Sequence, residues 1–313
     1  MRNFIFLSLI FLVSNPIQAA KVDSSMYVSI GGIEQYVKIK GSKADAPLLL
    51  FLHGGPGQAA NKTVQEILSN LEQDYRVVHW DQRNTGKTLE KNLDSETVTL
   101  AQMQSDAEAI FLFLLEHFKQ AELTLVANSW GNALGFTIAQ KYPNKIKHYV
   151  AISPDVNAKK SQKIALKRLK THFGNQNNKK AMAELGQVAI PHKSIREMVL
   201  QYKWESIYNG EEVTDEMVVQ YMPFFRDWES KWMPLYQELY NRNLSKEIKS
   251  LDCKVSFFLG KSDYTANSQL AAKYYKKLQA PEKSIYWFDS GHNIFMQEPV
   301  ILKECLLKCL SEN

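Results

Sequence analysis

Residues 127–131 have the sequence Ala-Asn-Ser-Trp-Gly and lie between a short apolar run, Leu123–Ala127, and a helical pattern, Ala133–Tyr142. A serine between small residues at a strand-to-helix turn is typical of the nucleophile elbow, G-x-S-x-G, which exposes the hydroxyl above the edge of a sheet. Ala127 replaces the first glycine, and the tight turn accepts it because alanine has the next smallest side chain. The stretch therefore predicts that Ser129 is a catalytic nucleophile.

Strand and helix patterns alternate outward from this turn. Gly31-Gly32 separates two short runs and predicts a β-hairpin, Met26–Ile30 with Ile33–Ile39. Continuous apolar runs predict buried parallel strands, and longer segments with apolar residues every three or four positions predict helices. The strands are Pro47–His53, Tyr75–Trp80, Leu123–Ala127, Ile146–Ser153, Lys254–Gly260 and Ser284–Asp289, and the helices are Leu100–Lys119, Ala133–Tyr142, Ala266–Leu278 and Pro299–Leu310. This alternation predicts an α/β fold, a mostly parallel sheet with helices on both faces.

The alternation stops between residues 154 and 250. Charged helix-forming segments follow one another there, and asparagines mark the breaks between them, at Asn175–Asn178, Asn209-Gly210 and Asn241–Asn243. Strand patterns then resume, so the helical segment is inserted within one sheet. The sequence predicts a core of residues 21–153 and 251–313 and a helical cap of residues 154–250.

The first twenty residues have the pattern of a secretory signal peptide. Arg2 supplies a positive charge, Phe4–Val13 is an apolar run interrupted only by Ser8, and small residues end the segment at Ala19-Ala20. This apolar run is roughly half the length that a membrane span needs. We expect cleavage of residues 1–20, export to the periplasm or outside the cell, and no stable membrane insertion afterwards.

The composition is ordinary for a globular enzyme, with 45% hydrophobic and 23% charged residues. The net charge of +5 is mild and the lysines are dispersed, so nucleic acid is not an expected partner. An exported chain permits a disulfide, and Cys253 could pair with Cys305 or Cys309. Three buried thiols are the alternative, and the sequence leaves both open.

A glycine-rich loop, His-Gly-Gly-Pro-Gly at residues 53–57, follows the first predicted parallel strand. Attack of a serine on a carbonyl group places negative charge on the carbonyl oxygen, which backbone N–H groups must stabilise. In enzymes with a nucleophile elbow, one donor is the N–H after the nucleophile, and the other comes from the loop after the third strand. Trp130 and Gly55 are therefore the predicted oxyanion-hole residues.

The general base and its acid are predicted at the ends of two late strands. His292 and Asp263 each come shortly after one of the last two predicted strands. Because the carboxyl ends of parallel strands meet at one edge of a sheet, both side chains are expected near Ser129. The chain order Ser, Asp, His is the one that enzymes with this elbow use. Asp155, which also follows a strand, is the alternative acid.

Together these motifs resemble those of the prolyl iminopeptidase family of α/β-hydrolases. The shared pieces are HGGPG at 53–57, DQR at 81–83 with Gly86 three positions on, NSWG at 128–131, Asp263, and Gly291-His292 followed by Glu298-Pro299. The resemblance implies an α/β-hydrolase fold with a helical cap inserted after the sixth strand. It also implies cleavage of an N-terminal residue, often proline, from short peptides or amides.

The same resemblance implies that cap carboxylates bind the free amino group of the substrate. Trp204-Glu205 is similar to the Trp-Glu pair that supplies one of them, so Glu205 and Trp204 are the predicted substrate-binding residues. From the residues alone, a helix glutamate is usually solvated. The second cap carboxylate motif has no clear match. Asn84 and Asn132 stand where the family usually has glycine, and asparagine tolerates a left-handed backbone.

Three functions fit these residues. The leading one is an aminopeptidase acting on short peptides or amides. A carboxylesterase or amidase with the same three catalytic residues is the alternative, and a non-catalytic binding protein on a hydrolase scaffold is disfavoured because no catalytic residue is missing. A serine at the elbow argues against haloalkane and epoxide chemistry. The histidines and cysteines lack the spacing of metal ligands, so neither a metal nor a cofactor is predicted.

Overall fold

The computed structural model describes residues 21–92 and 97–311, and eight of its segments form one sheet. The strands are β1 (Val22–Ile30), β2 (Ile33–Gly41), β3 (Leu48–Leu52), β4 (Arg76–Trp80), β5 (Leu123–Asn128), β6 (Ile146–Ile152), β7 (Lys254–Gly260) and β8 (Lys283–Phe288). Their order is β1-β2-β4-β3-β5-β6-β7-β8. The pairs β1–β2 and β2–β4 are antiparallel and the others are parallel. The predicted fold class is confirmed.

Helices connect the strands. They are α1 (Lys62–Ser69), α2 (Gly86–Lys91), α3 (Leu100–His117), α4 (Gly131–Lys141), α5 (Ala158–Asn175), α6 (Lys179–Gly186), α7 (Ile195–Tyr208), α8 (Asp215–Tyr240), α9 (Leu244–Glu247), α10 (Ser268–Lys277), α11 (Ile294–Gln297) and α12 (Pro299–Ser311). Helices α5 to α9 lie between β6 and β7, where the sequence places the cap. The division into core and cap at residues 154 and 250 stays a prediction.

The central strands are rich in apolar residues, and β3 is apolar along its whole length, because both faces of the sheet are covered. In β3, Leu50 packs into the core cluster that includes Phe111 of α3. Its neighbours Leu49 and Phe51 point to the opposite face, where they join the cluster that includes Leu302 of α12. Burial of each such side chain contributes about 1.5–3 kcal/mol. This explains why continuous apolar runs, rather than alternating ones, mark these strands.

The β1–β2 hairpin depends on two glycines. Ile30 pairs with Ile33, so the turn contains only Gly31 and Gly32. Both have positive φ, +59° and +80°. A two-residue turn with positive φ at both positions matches the right-handed twist of the strands, and glycine adopts it without steric cost. The predicted hairpin is confirmed.

The cysteines form no disulfide within the described part of the chain. Cys253 is buried, and the Sγ of Cys309 lies 3.2 Å from the Oγ of Ser256 in the interior. The structure therefore favours the reading of buried thiols over a pairing of Cys253 with Cys305 or Cys309.

The predicted signal peptide, residues 1–20, lies outside the described residues. Among the helices at 62–91 and 100–311, none combines the length and the apolar character that a membrane span requires.

Candidate active site

The elbow places Ser129 at the tip of β5 with a backbone φ of +49°. A left-handed φ is uncommon outside glycine and persists only where the surroundings hold it. The N–H of Ser129 donates to the carbonyl of Ile152 at 2.9 Å, and its carbonyl accepts from the N–H of Asn132 at 3.0 Å. These hydrogen bonds to β6 and α4 fix the turn that exposes the hydroxyl.

Close packing explains which elbow positions need glycine. At Gly131, a Cβ would lie 2.2 Å from the carbonyl oxygen of Leu52, so any larger residue would displace β3. Ala127, in contrast, is an ordinary strand position that pairs with Leu52 on one side and Ala151 on the other. Alanine at the position of the family's first glycine is therefore compatible with the geometry of the turn.

Ser129, His292 and Asp263 meet at the carboxyl edge of the sheet and form a hydrogen-bonded chain. The Oγ of Ser129 lies 2.8 Å from the Nε2 of His292, although the two residues are 163 positions apart. The Nδ1 of His292 lies 2.9 Å from the Oδ2 of Asp263. Asp263 is buried, and its Oδ1 accepts from the N–H of Ala266 at 2.9 Å. Because the carboxylate holds the proton on Nδ1, Nε2 is left to accept the serine proton.

Electrostatics favour the protonated form of His292. Burial is the largest single influence and lowers the pKa of this imidazole, while the charge of Asp263 and its hydrogen bond raise it. The net result is a pKa above the ordinary value of 6.5, and the nearby carboxylates of Asp155 and Glu205 act in the same direction. The site therefore stabilises the imidazolium that proton transfer from Ser129 would create.

This raised pKa predicts the pH dependence of hydrolysis. His292 must be neutral to accept a proton, so kcat/KM on an uncharged ester should fall as the pH drops through a pKa above about 6.5. Steady-state kinetics with p-nitrophenyl acetate between pH 5 and pH 9 would measure this limb. A midpoint at or below the ordinary histidine value would contradict the assigned environment.

Asp155, the alternative acid, lies in the same region but makes no hydrogen bond to His292. Its Oδ1 accepts from the hydroxyl of Ser161 at 3.0 Å and from the N–H of Asn157 at 3.2 Å. Asp155 therefore anchors the start of α5, and Asp263 occupies the position beside the imidazole.

The two predicted oxyanion-hole residues line one cavity with Ser129. Gly55 has a φ of +130°, a conformation that side chains other than glycine rarely adopt. Trp130 begins the turn into α4 with α-helical dihedral angles. Neither backbone N–H donates to another described residue. The structure thus brings both groups to the nucleophile, and their role in stabilising an oxyanion stays a prediction.

Sequence reasoning did not assign a role to Gln82, which connects the elbow to the glycine loop (residues 53–57). Its Oε1 accepts from the indole N–H of Trp130 at 2.8 Å, and its Nε2 donates to the carbonyl of His53 at 3.1 Å. The backbone N–H of Gln82 donates to the Nε2 of His53, whose Nδ1 contacts the carbonyl of Gly54. Burial lowers the pKa of His53 to about 4, which keeps it neutral for these contacts. The signal was present in the DQR motif, but only the structure shows the partners.

Gln82→Leu should therefore remove the side-chain hydrogen bonds that connect the elbow, at Trp130, with the glycine loop, at His53. The change leaves the Trp130 indole N–H and the His53 carbonyl buried without a partner, a cost of about 1–3 kcal/mol for each. We expect Tm to fall by about 3–10 °C and kcat on an ester to fall several-fold. Gln65→Leu, at an exposed position of α1, is the matched control. Unchanged Tm and kcat in Gln82→Leu would show that the bridge is dispensable.

Glu205 lines a cavity together with His292, and one oxygen of its carboxylate is unsatisfied. Its role in binding substrate stays a prediction. Its Oε1 accepts from the hydroxyl of Thr265 at 3.1 Å. Its Oε2 is buried and has no hydrogen-bond partner among the described residues. Burial raises the pKa of this carboxyl group. With His292 it lines an open polar cavity of about 530 Å³. Buried polar atoms are rarely left without a partner, so this oxygen is suited to a donor from a ligand.

Trp204 does not share that orientation, which corrects the prediction that it binds substrate. Its side chain is 4% exposed and packs among the inserted helices, where its ring centroid lies 4.9 Å from that of Phe173. Its indole N–H donates to the Oε2 of Glu184 at 2.8 Å. Successive residues of a helix point about 100° apart, so when Glu205 faces the site, Trp204 faces the interior of the helical segment.

Only one of the two asparagines at the family's glycine positions has a left-handed backbone. Asn84 has a φ of +57°, so asparagine does replace glycine in a left-handed position there. Asn132 is a helical residue of α4, and its Nδ2 donates to the carbonyls of Ser129 and Ile152 at 3.1 and 2.9 Å. Its Oδ1 accepts from the hydroxyl of Tyr149. The side chain therefore supports the elbow, a role that glycine could not supply.

Ser129 opens into an apolar cavity of about 300 Å³. Its walls come mainly from α7 and α8 and include Ile195, Met198, Val199, Phe224, Phe225 and Trp228. The indole N–H of Trp228 donates to the carbonyl of Pro56 at 2.9 Å, which holds α8 over the glycine loop. The described residues contain no group of three or more His, Cys, Asp or Glu side chains arranged to hold a metal ion.

The comparison with known families agrees with this geometry. Residues 47–299 match the α/β-hydrolase fold family, and the chain belongs to that family. A Bacillus subtilis protein named as a probable aminopeptidase is 28% identical over 298 residues, which cover 89% of this chain and 93% of the relative. A Mycoplasma genitalium protein named as a putative proline iminopeptidase is 24% identical over 238 residues, which cover 74% of this chain and 73% of the relative. These relatives confirm the resemblance to prolyl iminopeptidases.

Solved structures show the same fold. Proline iminopeptidase from Mycobacterium smegmatis superposes with a TM-score of 0.65 at 17% identity, over 92% of this chain and 98% of that one. The enol-lactonase from Burkholderia xenovorans superposes with a TM-score of 0.59 at 14% identity, over 91% and 100% of the two chains. Since hydrolases of different specificity share the fold, specificity must come from the cavities beside Ser129.

Proposed function

We propose that this protein is an exported serine aminopeptidase, similar to prolyl iminopeptidases, that releases N-terminal residues from short peptides or amides. The observation that carries this proposal is the buried, unpartnered Oε2 of Glu205 beside the chain formed by Ser129, His292 and Asp263. A free α-ammonium group would supply the missing donor through a charge-assisted hydrogen bond. The aminopeptidase name of the Bacillus subtilis relative supports the same chemistry.

The proposed reaction passes through an acyl-enzyme. His292 removes the proton of Ser129 as its Oγ attacks the scissile carbonyl carbon, and Asp263 stabilises the resulting imidazolium. The N–H groups of Gly55 and Trp130 donate to the oxyanion, each contributing about 10²–10³-fold to the rate. His292 then protonates the departing amine. A water molecule, activated by the same imidazole, attacks the ester and releases the N-terminal residue.

Export is part of the proposal and rests on the pattern of residues 1–20.

A carboxylesterase or amidase with the same three residues is the second candidate. The apolar cavity favours it, because all nine of the residues that line the cavity from α7 and α8 carry apolar or aromatic side chains, which would accept an uncharged acyl group. The two candidates differ in one respect: an aminopeptidase requires the free amine of its substrate, and an esterase does not.

A panel of substrates separates the candidates. The purified protein should hydrolyse prolyl or alanyl p-nitroanilide and lose this activity when the amine is acetylated. Glu205→Gln should lower kcat/KM on the free amine by about 30- to 1,000-fold, because loss of a buried charge partner costs 2–4 kcal/mol. Glu211→Gln is the matched control, since Glu211 lines the same polar cavity but is exposed.

The opposite results are equally informative. Absence of turnover on every free aminoacyl amide, together with rapid ester hydrolysis, would assign the esterase instead. Equal losses in Glu205→Gln on free and acetylated substrates would remove the amine-binding role of Glu205. Failure of the wild type to react with a fluorophosphonate would indicate a non-catalytic binding protein.

A further inference from the structure

A second carboxylate lies beside the nucleophile, in a different cavity from Glu205. Asp155 lies between β6 and α5, in the wall of the apolar cavity that also contains Ser129 and His292. Its Oδ1 is held by the N–H of Asn157 and the hydroxyl of Ser161, at 3.2 and 3.0 Å. No described residue donates to its Oδ2. The carboxylate is therefore fixed in orientation while one of its oxygens is available to a ligand in the cavity.

Tyr202 lines both the apolar cavity that contains Asp155 and the polar cavity that contains Glu205. The hydroxyls of Tyr202 and Tyr236 lie 3.1 Å apart, and both side chains line the apolar cavity. Burial first, and then the charges of both Asp155 and Glu205, raise the pKa of Tyr236 to about 12. Both carboxylates therefore lie within electrostatic range of the same phenol, and the cavities that contain them share His292.

Within the described part of the chain, the apolar cavity has no positively charged side chain to pair with Asp155. No lysine or arginine is among the described residues that line it. Arg242 lines an adjoining smaller cavity with Asp155, but its Nε donates to the Oε2 of Glu247 at 2.6 Å. Burial raises the pKa of Asp155 to about 6, with a smaller contribution from the charge of Asp263. Above that pH the cavity wall carries a partly buried negative charge, and such a charge is stabilised by a cation with N–H donors.

We infer that Asp155 is a specificity-determining residue that binds the α-ammonium group of the substrate from within the apolar cavity, in concert with Glu205. The inference rests on the proposed function, which it extends by naming a second amine-binding group and a substrate class. The cavity of about 300 Å³ has room for a small apolar N-terminal side chain, and Asp155, the one carboxylate among the described residues that line it, would select for a free amine on the same residue.

A simple cation tests this inference without any peptide substrate. n-Butylammonium and 1-butanol have the same alkyl chain and differ in charge, and both can be assayed as competitive inhibitors of p-nitrophenyl acetate hydrolysis at pH 8. For the wild type, we expect butylammonium to bind more tightly than butanol. In Asp155→Asn, the inhibition constant of butylammonium should rise by about 10-fold or more, as for loss of one charge-assisted hydrogen bond. The constant for butanol should change by less than threefold.

Two further variants keep the test decisive. Ser161→Ala removes a donor to Oδ1 but retains the carboxylate, so it should keep the preference for the cation. Asp155→Ser removes the charge, retains an oxygen acceptor for the N–H of Asn157, and replaces Asp155→Asn if that variant unfolds. Equal inhibition of wild type and either neutral variant by butylammonium would overturn the inference. The inference would also be overturned if the inhibition constants of butylammonium and butanol rose by the same factor, because that would indicate a structural role for Asp155.

Failure of the proposed function gives a different result. A wild type that hydrolyses esters but no aminoacyl amide is not an aminopeptidase, and the butylammonium measurements still decide the role of Asp155. The wild type could hydrolyse aminoacyl amides while a neutral variant at position 155 still binds butylammonium more tightly than butanol. That result would support the proposed function and overturn the inference about Asp155.

Discussion

Replacement of Ser129 by alanine is expected to lower kcat by about 10⁵-fold or more, the scale seen when the nucleophile of a hydrogen-bonded serine, histidine and aspartate is removed. The Oγ of Ser129 is the atom that the Nε2 of His292 approaches at 2.8 Å. Without it no acyl-enzyme can form, and His292 has no proton to accept. Any residual rate comes from the oxyanion donors and substrate binding alone. Initial rates on the best substrate of the panel measure the loss.

The control for this variant separates chemistry from folding. Ser129→Ala removes one oxygen from a side chain at the edge of a cavity, so its Tm should stay within a few degrees of the wild type. Ser69→Ala, at an exposed position of α1, should retain both activity and labelling by a fluorophosphonate. Persistent labelling or turnover in Ser129→Ala would show that the nucleophile is another residue.

Asp263→Asn is expected to lower kcat by about 10⁴-fold, because an amide at this position favours the wrong imidazole tautomer. In the structure, Asp263 accepts the proton of Nδ1 at 2.9 Å and leaves Nε2 free to act as base. The asparagine amide can donate to Nδ1, and the proton then moves to Nε2, where it blocks transfer from Ser129. Ester hydrolysis by the variant measures this effect without involving amine recognition.

The same measurement on Asp155→Asn decides which carboxylate is the acid. Asp155 accepts hydrogen bonds from the start of α5, at Asn157 and Ser161, and none from the imidazole. We expect the fall in kcat for ester hydrolysis to be smaller in Asp155→Asn than in Asp263→Asn by a factor of about 10² or more. A larger loss in Asp155→Asn than in Asp263→Asn would reverse the assignment.

The sequence alone predicted the fold and the three residues that the structure joins, with Asp155 left as the alternative acid. Buried parallel strands favour nearly continuous apolar side chains, so runs such as Leu48–Leu52 were recognisable from the sequence. The elbow was recognisable because its turn demands small residues at fixed offsets from Ser129. The positions of Asp263 and His292 followed from topology, since parallel strands end at one edge. These constraints are local or follow from strand order, and a single chain records them.

What the sequence could not determine is the direction in which individual side chains point. Glu205 and Trp204 are adjacent and equally plausible as ligands, yet helix phase turns one to the cavity and the other to Phe173. Asn132 resembled a left-handed glycine substitute, but it lies in α4 and its side chain secures the elbow. These outcomes depend on which surface packs against which.

Gln82 and Asp155 illustrate the same limit at the site itself. Gln82 belongs to a motif that the sequence displays, but its partners, Trp130 and His53, are distant in the chain and are met only after the sheet assembles. Asp155 met one requirement of the catalytic acid, because it follows a strand. In the structure, however, it is Asp263 that forms the hydrogen bond with the imidazole of His292. Sequence pattern fixes element type and order through local stereochemistry and burial. Which polar side chains at the carboxyl edge of the sheet bond to each other depends on whether their atoms come within hydrogen-bond distance, about 3 Å. Only tertiary packing sets those distances.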